Sequence, residues 1–212
     1  MPRLIEPFKT RFRSETRLYD FLPYEPSAFI NVGIGDGAEW LRFYDRYPGK
    51  PILGLEPNPV WYKALIEGTA CWAPRGDKPY PGTLLPHAAW DSHRMLVLEG
   101  KRNMTKTREH GKGHVVNAFR LDHLIDDSYG GDMILWADCE GSELRAFKGC
   151  DLSRVMLINV EVRSYALAKQ HGIECWDEQV YDYLEGQGFR VVCEYRSMRS
   201  NRHRDAILVR AD

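Results

Sequence analysis

Several features that would place the chain in a specialised class of protein are scarce or missing. The 212 residues include only five cysteines, an odd number, and no Cys-x-x-Cys pair. This usage is typical of reduced thiols, so we expect a cytoplasmic protein. No apolar run approaches the roughly 18 residues needed to span a bilayer, and the charged residues 3–13 lack the apolar core of a signal peptide. We therefore expect no membrane partner.

An excess of charge of either sign is missing as well. The 29 Lys and Arg residues nearly balance the 30 Asp and Glu residues, for a net charge of −1. This balance provides no general attraction to nucleic acid or to anionic membranes, and it argues against both as partners. The apolar fraction of 43% is enough for an ordinary globular core. The sequence leaves the oligomeric state open.

What the sequence does contain is a glycine-rich turn between an apolar strand and a helix. The apolar run at residues 28–32 ends in Gly33, Gly35 and Gly37, as a buried parallel strand does before a sharp turn into a helix. Glycines leave bare backbone for a ligand to approach, and N–H groups at the helix start can face an anionic group. The turn therefore predicts a site for a nucleotide-type cofactor.

A carboxylate follows the next apolar strand at the spacing expected of such a site. Glu56 ends the run at residues 52–55, 23 residues after Gly33, and a carboxylate there can bind both hydroxyls of a ribose. Asn58 is a good helix N-cap, and Pro59 suits the first helical position. The alternation of strands and helices predicts a doubly wound, mostly parallel α/β sheet.

The remaining patterns extend this domain. Apolar runs predict strands at residues 84–90, 94–98, 133–137, 154–162, 189–195 and 206–210, of which the last two form an antiparallel pair at one sheet edge. We predict a helix at residues 173–185, a leader at residues 1–27 with a helix at residues 10–22, and a single domain at residues 28–212.

Acidic residues follow two of the most apolar strands. Asp138 and Glu140 come directly after residues 133–137, and Glu161 lies at the end of the next strand. Because open α/β sheets bind ligands at the carboxyl ends of their strands, we expect these carboxylates to converge on one pocket as a base or as acceptor anchors. An alternative is that Glu140 only caps the following helix. Nothing in the spacing requires a metal, and we predict none.

Four stretches resemble the FkbM family of S-adenosylmethionine-dependent methyltransferases. They read Asn31-Val-Gly-Ile-Gly-Asp-Gly37, Leu55-Glu-Pro-Asn58, Arg120-Leu-Asp-His-Leu124, and Ala137-Asp-Cys-Glu-Gly-Ser-Glu143 with Phe147-Lys-Gly149. The last is the most specific, since it is similar to the family's Ile-Asp-Val-Glu-Gly-x-Glu segment. The sequence differs from the family at two positions, with Asn31 in place of an acid and Gly35 in place of an asparagine.

The resemblance implies a class I methyltransferase fold with seven strands, S-adenosyl-L-methionine as cofactor, and O-methylation of a hydroxyl on a sugar, a glycan or a polyketide-like small molecule. It implies the methionine end of the cofactor over Gly33–Gly37, the ribose on Glu56 and the adenine near Ala89–Asp91. Asp91 either accepts a hydrogen bond from the adenine amine or is a turn residue. The implied cofactor-binding residues are Asn31, Gly33, Gly35, Gly37, Glu56, Pro57, Asn58, Ala89, Trp90, Asp91 and Asp138.

Two other functions remain open at this point. Gly33-x-Gly35-x-x-Ala38 matches the dinucleotide fingerprint, and Tyr165-x-x-x-Lys169 has the spacing of short-chain reductases that use NAD(P), although a Thr-Gly-rich opening is missing. The second of these functions is that of a cofactor-binding module without catalysis. Residues 101–114, with five Lys or Arg, are either a solvated loop or a rim that recognises an anionic acceptor.

Overall fold

A large twisted sheet forms the centre of the protein. The computed structural model describes residues 4–8, 18–35, 38–70, 80–100, 105–173, 175–197 and 203–211. The strands are β1 (Leu4–Phe8), β2 (Phe29–Val32), β3 (Ile52–Leu55), β4 (Thr83–Leu85), β5 (Ala88–Ala89), β6 (Arg94–Glu99), β7 (Lys106–Arg108), β8 (His114–Phe119), β9 (Met133–Ala137), β10 (Val155–Arg163), β11 (Phe189–Ser197) and β12 (His203–Arg210). The helices are α1 (Ala38–Arg46), α2 (Pro59–Glu67), α3 (Glu143–Lys148), α4 (Tyr165–Gln170) and α5 (Asp177–Gly186).

The central sheet confirms the predicted Rossmann-like, doubly wound class. Its strand order within the described residues is β1-β11-β12-β10-β9-β2-β3-β4. Strands β2, β3, β4, β9 and β10 are parallel, whereas β12 is antiparallel to both β10 and β11. The sheet has eight strands rather than seven, because β1 adds in parallel beyond β11. The predicted antiparallel pair, β11 and β12, therefore exists. It does not lie at the edge of the sheet as predicted, because β1 pairs with β11 there.

A second, smaller sheet was not predicted as such. Its order is β5-β8-β6-β7, and it is built around the antiparallel pair of β6 and β8. The single strand predicted at residues 84–90 is divided between the two sheets. Thr83–Leu85 ends the central sheet, and Ala88–Ala89 pairs with β8. The basic segment is not only a loop, since Lys106–Arg108 pairs with β6; residues 101–104 lie outside the described residues.

Apolar layers cover both faces of the central sheet. Helices α3 and α5 contribute Phe147, Val180 and Leu184 to one face. Helices α1 and α2 contribute Phe43 and Leu65 to the other. Since helices lie on both faces, the chain forms the three-layer architecture expected of a doubly wound sheet. No helix in the described ranges has the length and apolar character needed to cross a membrane.

Helix boundaries follow local signals at some places and tertiary contacts at others. Helix α2 has the predicted caps: the Asn58 side chain accepts a hydrogen bond from the Val60 N–H, and Gly68 ends the helix with φ 73°. The helix predicted at residues 173–185 is wrong at its start, because α5 begins at Asp177. Ile173 packs over Gly141 instead, and a side chain on that glycine would lie 2.4 Å from it.

The N-terminal segment differs from the expected helix. Residues 4–8 form β1, and a 3₁₀ helix covers Leu18–Phe21. The part of the predicted helix between residues 10 and 17 lies outside the described residues. The division of the chain into a leader and a single domain stays a prediction.

Candidate active site

A cleft opens at the carboxyl ends of the central parallel strands, where the second sheet faces them. It contains about 820 Å³ of empty space, including the part open to solvent. The second sheet contributes Ala88, Leu98 and Thr107 to the lining. The predicted site residues that line the cleft are Gly33, Gly35, Glu56, Pro57, Asn58, Ala89, Asp138 and Glu140.

The described glycines of the turn have different tasks. Gly33 has φ 78°, and a Cβ there would lie 1.9 Å from the carbonyl oxygen of Asp138. Gly33 is therefore required for the close approach of two backbone segments rather than for ligand access. Gly35 has φ 55° and open space where a Cβ would stand, so its bare backbone faces the cleft. Gly37 lies outside the described residues.

Glu56 joins two loops of the cleft. Its side chain is buried, and its carboxylate accepts hydrogen bonds from the N–H groups of Gly35 (2.7 Å) and Asn58 (2.8 Å). Burial raises the pKa of Glu56 to about 7, although these backbone N–H groups act to lower it. Each carboxylate oxygen can accept a further hydrogen bond, so Glu56 can still bind hydroxyls from the cleft.

Asn58 connects the central sheet to the second sheet. Its Oδ1 caps α2 by accepting from Val60 at 3.0 Å, and its Nδ2 donates to Thr105 Oγ1 at 2.9 Å. Thr105 precedes β7 and also lines the cleft. The hydrogen bond from Asn58 to Thr105 therefore holds the loop that carries Glu56 against β7, which covers the cleft.

An acidic cluster occupies the other end of the cleft. Glu140 and Glu161 contact the buried Arg163, which is 5% exposed, and Asp138 lies close enough to both acids to be affected by their charges. The guanidinium donates to the Glu140 carboxylate, and its NH2 group lies 3.7 Å from Glu161 Oε1. Asp138 has no ion-pair partner among the described residues. Burial and the negative charges of Glu161 and Glu140 raise the pKa of Asp138 well above its usual range.

Arg163, which holds the acidic cluster, is a residue that sequence reasoning missed. It ends β10 two residues after Glu161, and side chains at that spacing lie on the same side of a strand. A charged residue that closes an apolar strand beside an acid is the signal that could have identified it. Glu161 itself does not line the cleft.

The turn before α3 is held by Glu143 rather than by Glu140. Glu143 Oε1 accepts hydrogen bonds from the N–H groups of Cys139 and Gly141, both at 3.0 Å. The N-cap residue Ser142 makes no side-chain capping bond, and Glu140 is bound to Arg163. The alternative that Glu140 only caps the helix is therefore not what the structure shows.

Comparison with known proteins identifies the family. Residues 31–191, about three quarters of the chain, match the methyltransferase FkbM domain. The chain belongs to the FkbM methyltransferase family. It is therefore an S-adenosylmethionine-dependent methyltransferase. Among curated proteins, none matches the chain.

One solved structure with a TM-score of 0.50 supports the fold of this FkbM methyltransferase, and two further structures are similar at lower scores. The ribosomal protein L11 methylase of Lactobacillus delbrueckii subsp. bulgaricus is 13% identical, covers 100% of this chain and 96% of its own, and has a TM-score of 0.50. The precorrin-6y C5,15-methyltransferase of Geobacter metallireducens GS-15 is 13% identical over 93% of this chain and 86% of its own, with a TM-score of 0.47. The plantazolicin methyltransferase BpumL, solved with SAH, is 7% identical over 94% and 82%, with a TM-score of 0.47.

The cleft of the FkbM domain fits the nucleoside cofactor of the family. Gly35 offers bare backbone, and Glu56 offers carboxylate oxygens to hydroxyls. His87 also lines the cleft.

Three predicted cofactor residues lie outside this cleft. Asn31 is fully buried on the same face of β2 as Phe29, which packs against α1. Asp91 is held by Arg145 at 2.6 Å, and Trp90 lines a neighbouring cleft. Burial acts to raise the pKa of Asp91, but hydrogen bonds from Arg145 and from the hydroxyl of the adjacent serine lower it overall. The structure thus places these three residues apart from the other predicted cofactor-binding residues, which line the cleft.

Proposed function

We propose that this methyltransferase transfers the methyl group to a hydroxyl oxygen of a small molecule, such as a sugar, a glycan or a polyketide-like compound, with Asp138 as the base. The observation that carries the proposal is the Asp138 carboxyl, which lines the cleft without an ion-pair partner among the described residues and has a raised pKa. A group with a raised proton affinity in a cleft is a candidate catalytic base.

The cofactor is proposed to lie along the cleft from the second sheet to the acidic cluster. Gly35 would face its methionine end, Glu56 its ribose hydroxyls, and Pro57 and Asn58 would lie beside the ribose. His87 and Ala89 would contact the adenine, since both line the cleft. We propose no role in cofactor binding for Asn31, Trp90 or Asp91, because they do not line it.

The chemistry requires positioning and removal of one proton. When bound, S-adenosylmethionine supplies an electrophilic methyl group on a positively charged sulfur. A hydroxyl is essentially un-ionised at neutral pH, so a residue must accept its proton as the new O–C bond forms. Asp138 is suited to accept it at a carboxylate oxygen, because neighbouring carboxylates and burial favour protonation there. Arg163 contacts both Glu140 and Glu161, so these carboxylates are already held by a cation.

The structure gives no support to the reductase alternative. Tyr165 is 53% exposed and packs against Trp176. Neither Tyr165 nor Lys169 lines the cleft. A short-chain reductase needs its tyrosine and lysine beside the nicotinamide, so this spacing in the sequence carries no catalytic pair here.

Cofactor binding and methyl transfer are tested together. Calorimetric titration with S-adenosylhomocysteine and with NADH should show binding of the first and not of the second. Radiolabelled S-adenosylmethionine should then label a hydroxyl compound in a panel of sugars and phenols, and the product should lose the label under conditions that cleave methyl ethers. Labelling of nitrogen instead of oxygen would contradict the proposal.

A further inference from the structure

A second cleft adjoins the cofactor cleft. It lies between β7, α3 and the segment after α4, and it contains about 1210 Å³ of empty space, including the part open to solvent. Thr107, Glu140 and Ser142 line both clefts, so the two meet beside the acidic cluster. A molecule bound in the second cleft can therefore place one end next to the proposed base.

Positive side chains dominate the lining of this second cleft. The cations are Lys106, Arg108, Arg145 and Lys148, and the lining acids are Glu109 and Glu140. Two of the cations already hold carboxylates. Arg108 Nε lies 3.2 Å from Glu99, and Arg145 lies 2.6 Å from Asp91. These arginines are thus partly neutralised, and the remaining lysines determine what the cleft can bind.

Lys106 is the cation best placed to bind an anion. Its half-buried side chain donates from Nζ to the carbonyl oxygen of His171 at 2.9 Å, and the described residues offer it no carboxylate within ion-pair distance. Burial lowers the pKa of Lys106, and the positive charges of Arg163 and Arg108 lower it further. The charge of Glu140 acts in the opposite direction. An amine that lies near two guanidinium groups and has no carboxylate partner in the described structure favours an anionic ligand.

We propose that the methyl acceptor carries an anionic group, a phosphate, sulfate or carboxylate, that binds Lys106 in the second cleft. This inference rests on the proposed methylation of a hydroxyl. Lys106 and Thr107 are adjacent on β7, so their side chains point to opposite sides of the strand. The anionic group then lies beside Lys106, and the hydroxyl of the same molecule lies at the junction of the two clefts, near Glu140 and Asp138.

Paired charged and neutral sugars test this assignment. The protein saturated with S-adenosylhomocysteine is titrated at low salt with glucose 6-phosphate, glucuronate and glucose. We expect at least one of the charged sugars to bind about 10-fold more tightly than glucose, and its identity distinguishes phosphate from carboxylate recognition. Lys106→Met should lower that affinity about 10- to 100-fold, the scale of a charge-assisted hydrogen bond. Lys106→Arg, which keeps the charge, should retain most of it.

The matched control is Lys112→Met, because Lys112 is exposed near the second sheet and lines neither cleft. It should bind every sugar as the wild type does, and all variants should bind S-adenosylhomocysteine equally. Equal affinity for charged and neutral sugars, no binding of either charged sugar, or an unchanged affinity in Lys106→Met would overturn the inference while the cofactor result stands. Failure of S-adenosylhomocysteine to bind the wild type would instead overturn the proposed function, and this inference with it.

Discussion

The two ends of the cleft hold carboxylates in different ways. At the end of β3, Glu56 is bound by neutral N–H groups of Gly35 and Asn58. At the ends of β9 and β10, Glu140 and Glu161 are arranged around a buried guanidinium. Neutral dipoles hold a carboxylate in place without adding charge, whereas an arginine cancels the charge of the groups it binds. The first arrangement suits hydroxyl recognition, and the second leaves Asp138 without an ion-pair partner in the described structure, as the proposed base requires.

The largest expected effect distinguishes Asp138 from its neighbours. Asp138→Asn should lower kcat by about 10²–10⁴, the usual contribution of a positioned base, while the affinity for S-adenosylhomocysteine stays the same. Glu140→Gln should lower kcat less, because Arg163 already holds that carboxylate. Steady-state kinetics with the first acceptor found in the panel measures both. Full turnover in Asp138→Asn would show that the acidic cluster is structural and would move the base to another residue, such as His87.

Gly33, whose backbone packs against the backbone of Asp138, provides the next test. Gly33→Ala should lower the free energy of unfolding by about 2–6 kcal/mol, as the sum of about 1–3 for the left-handed backbone and about 1–3 for the clash with the Asp138 carbonyl. Gly35→Ala should cost only the strain, since, its chain neighbours apart, no atom of the described residues lies within 4 Å of its added Cβ. Urea unfolding without cofactor measures both variants. An equal loss of unfolding free energy in Gly33→Ala and Gly35→Ala would contradict the different roles assigned to the two glycines.

At the neutral end of the cleft, Glu56→Ala should weaken binding of S-adenosylhomocysteine by about 1.5–3 kcal/mol, the scale of a hydrogen bond to a charged group. Part of the loss will come from the loops that Glu56 joins, so unfolding is measured on the same variant. Glu67→Ala is the control, because Glu67 is an exposed acid on the adjacent helix. Calorimetry that shows the same affinity in Glu56→Ala as in the control would remove Glu56 from the site.

The smallest effect, taken per pH unit, concerns the stability of the fold. Burial raises the pKa of both Glu56 and Glu143 from 4.5 to about 7 in the fold. Between these values the folded protein binds more protons than the unfolded chain, so the free energy of unfolding should fall as pH rises. The slope for one such group is about 1.4 kcal/mol per pH unit at most.

Glu143→Gln keeps an oxygen that can accept from Cys139 and Gly141, and it cannot ionise. The variant should therefore retain its fold and show a shallower fall in stability between about pH 4.5 and about pH 7. Urea unfolding across this range measures the slope. An unchanged slope in the variant would mean that Glu143 is ionised in the fold.

Local sequence patterns were sufficient to predict the elements whose structure depends on residues close together in the sequence. Asn58, Pro59 and Gly68 mark the ends of α2, and the structure has these caps. The apolar runs that predicted β2, β3 and β9 are buried strands because their residues can pack on both faces of a parallel sheet. Glu56 was identified for the same reason, since its position depends only on the end of one strand.

Contacts between distant segments were decided by the tertiary structure alone. Arg163 meets Glu140 across 23 residues, and Asn58 meets Thr105 across 47. Strand β1 pairs with β11 at the opposite end of the chain. Such contacts cannot be read from the sequence periodicity. Each segment shows only the pattern of its own helix, strand or turn, and that pattern is the same whichever segment it contacts. The sequence by itself therefore determined the fold class and the position of Glu56 after β3, and only folding decided which carboxylate has no ion-pair partner in the described structure and where the second cleft lies.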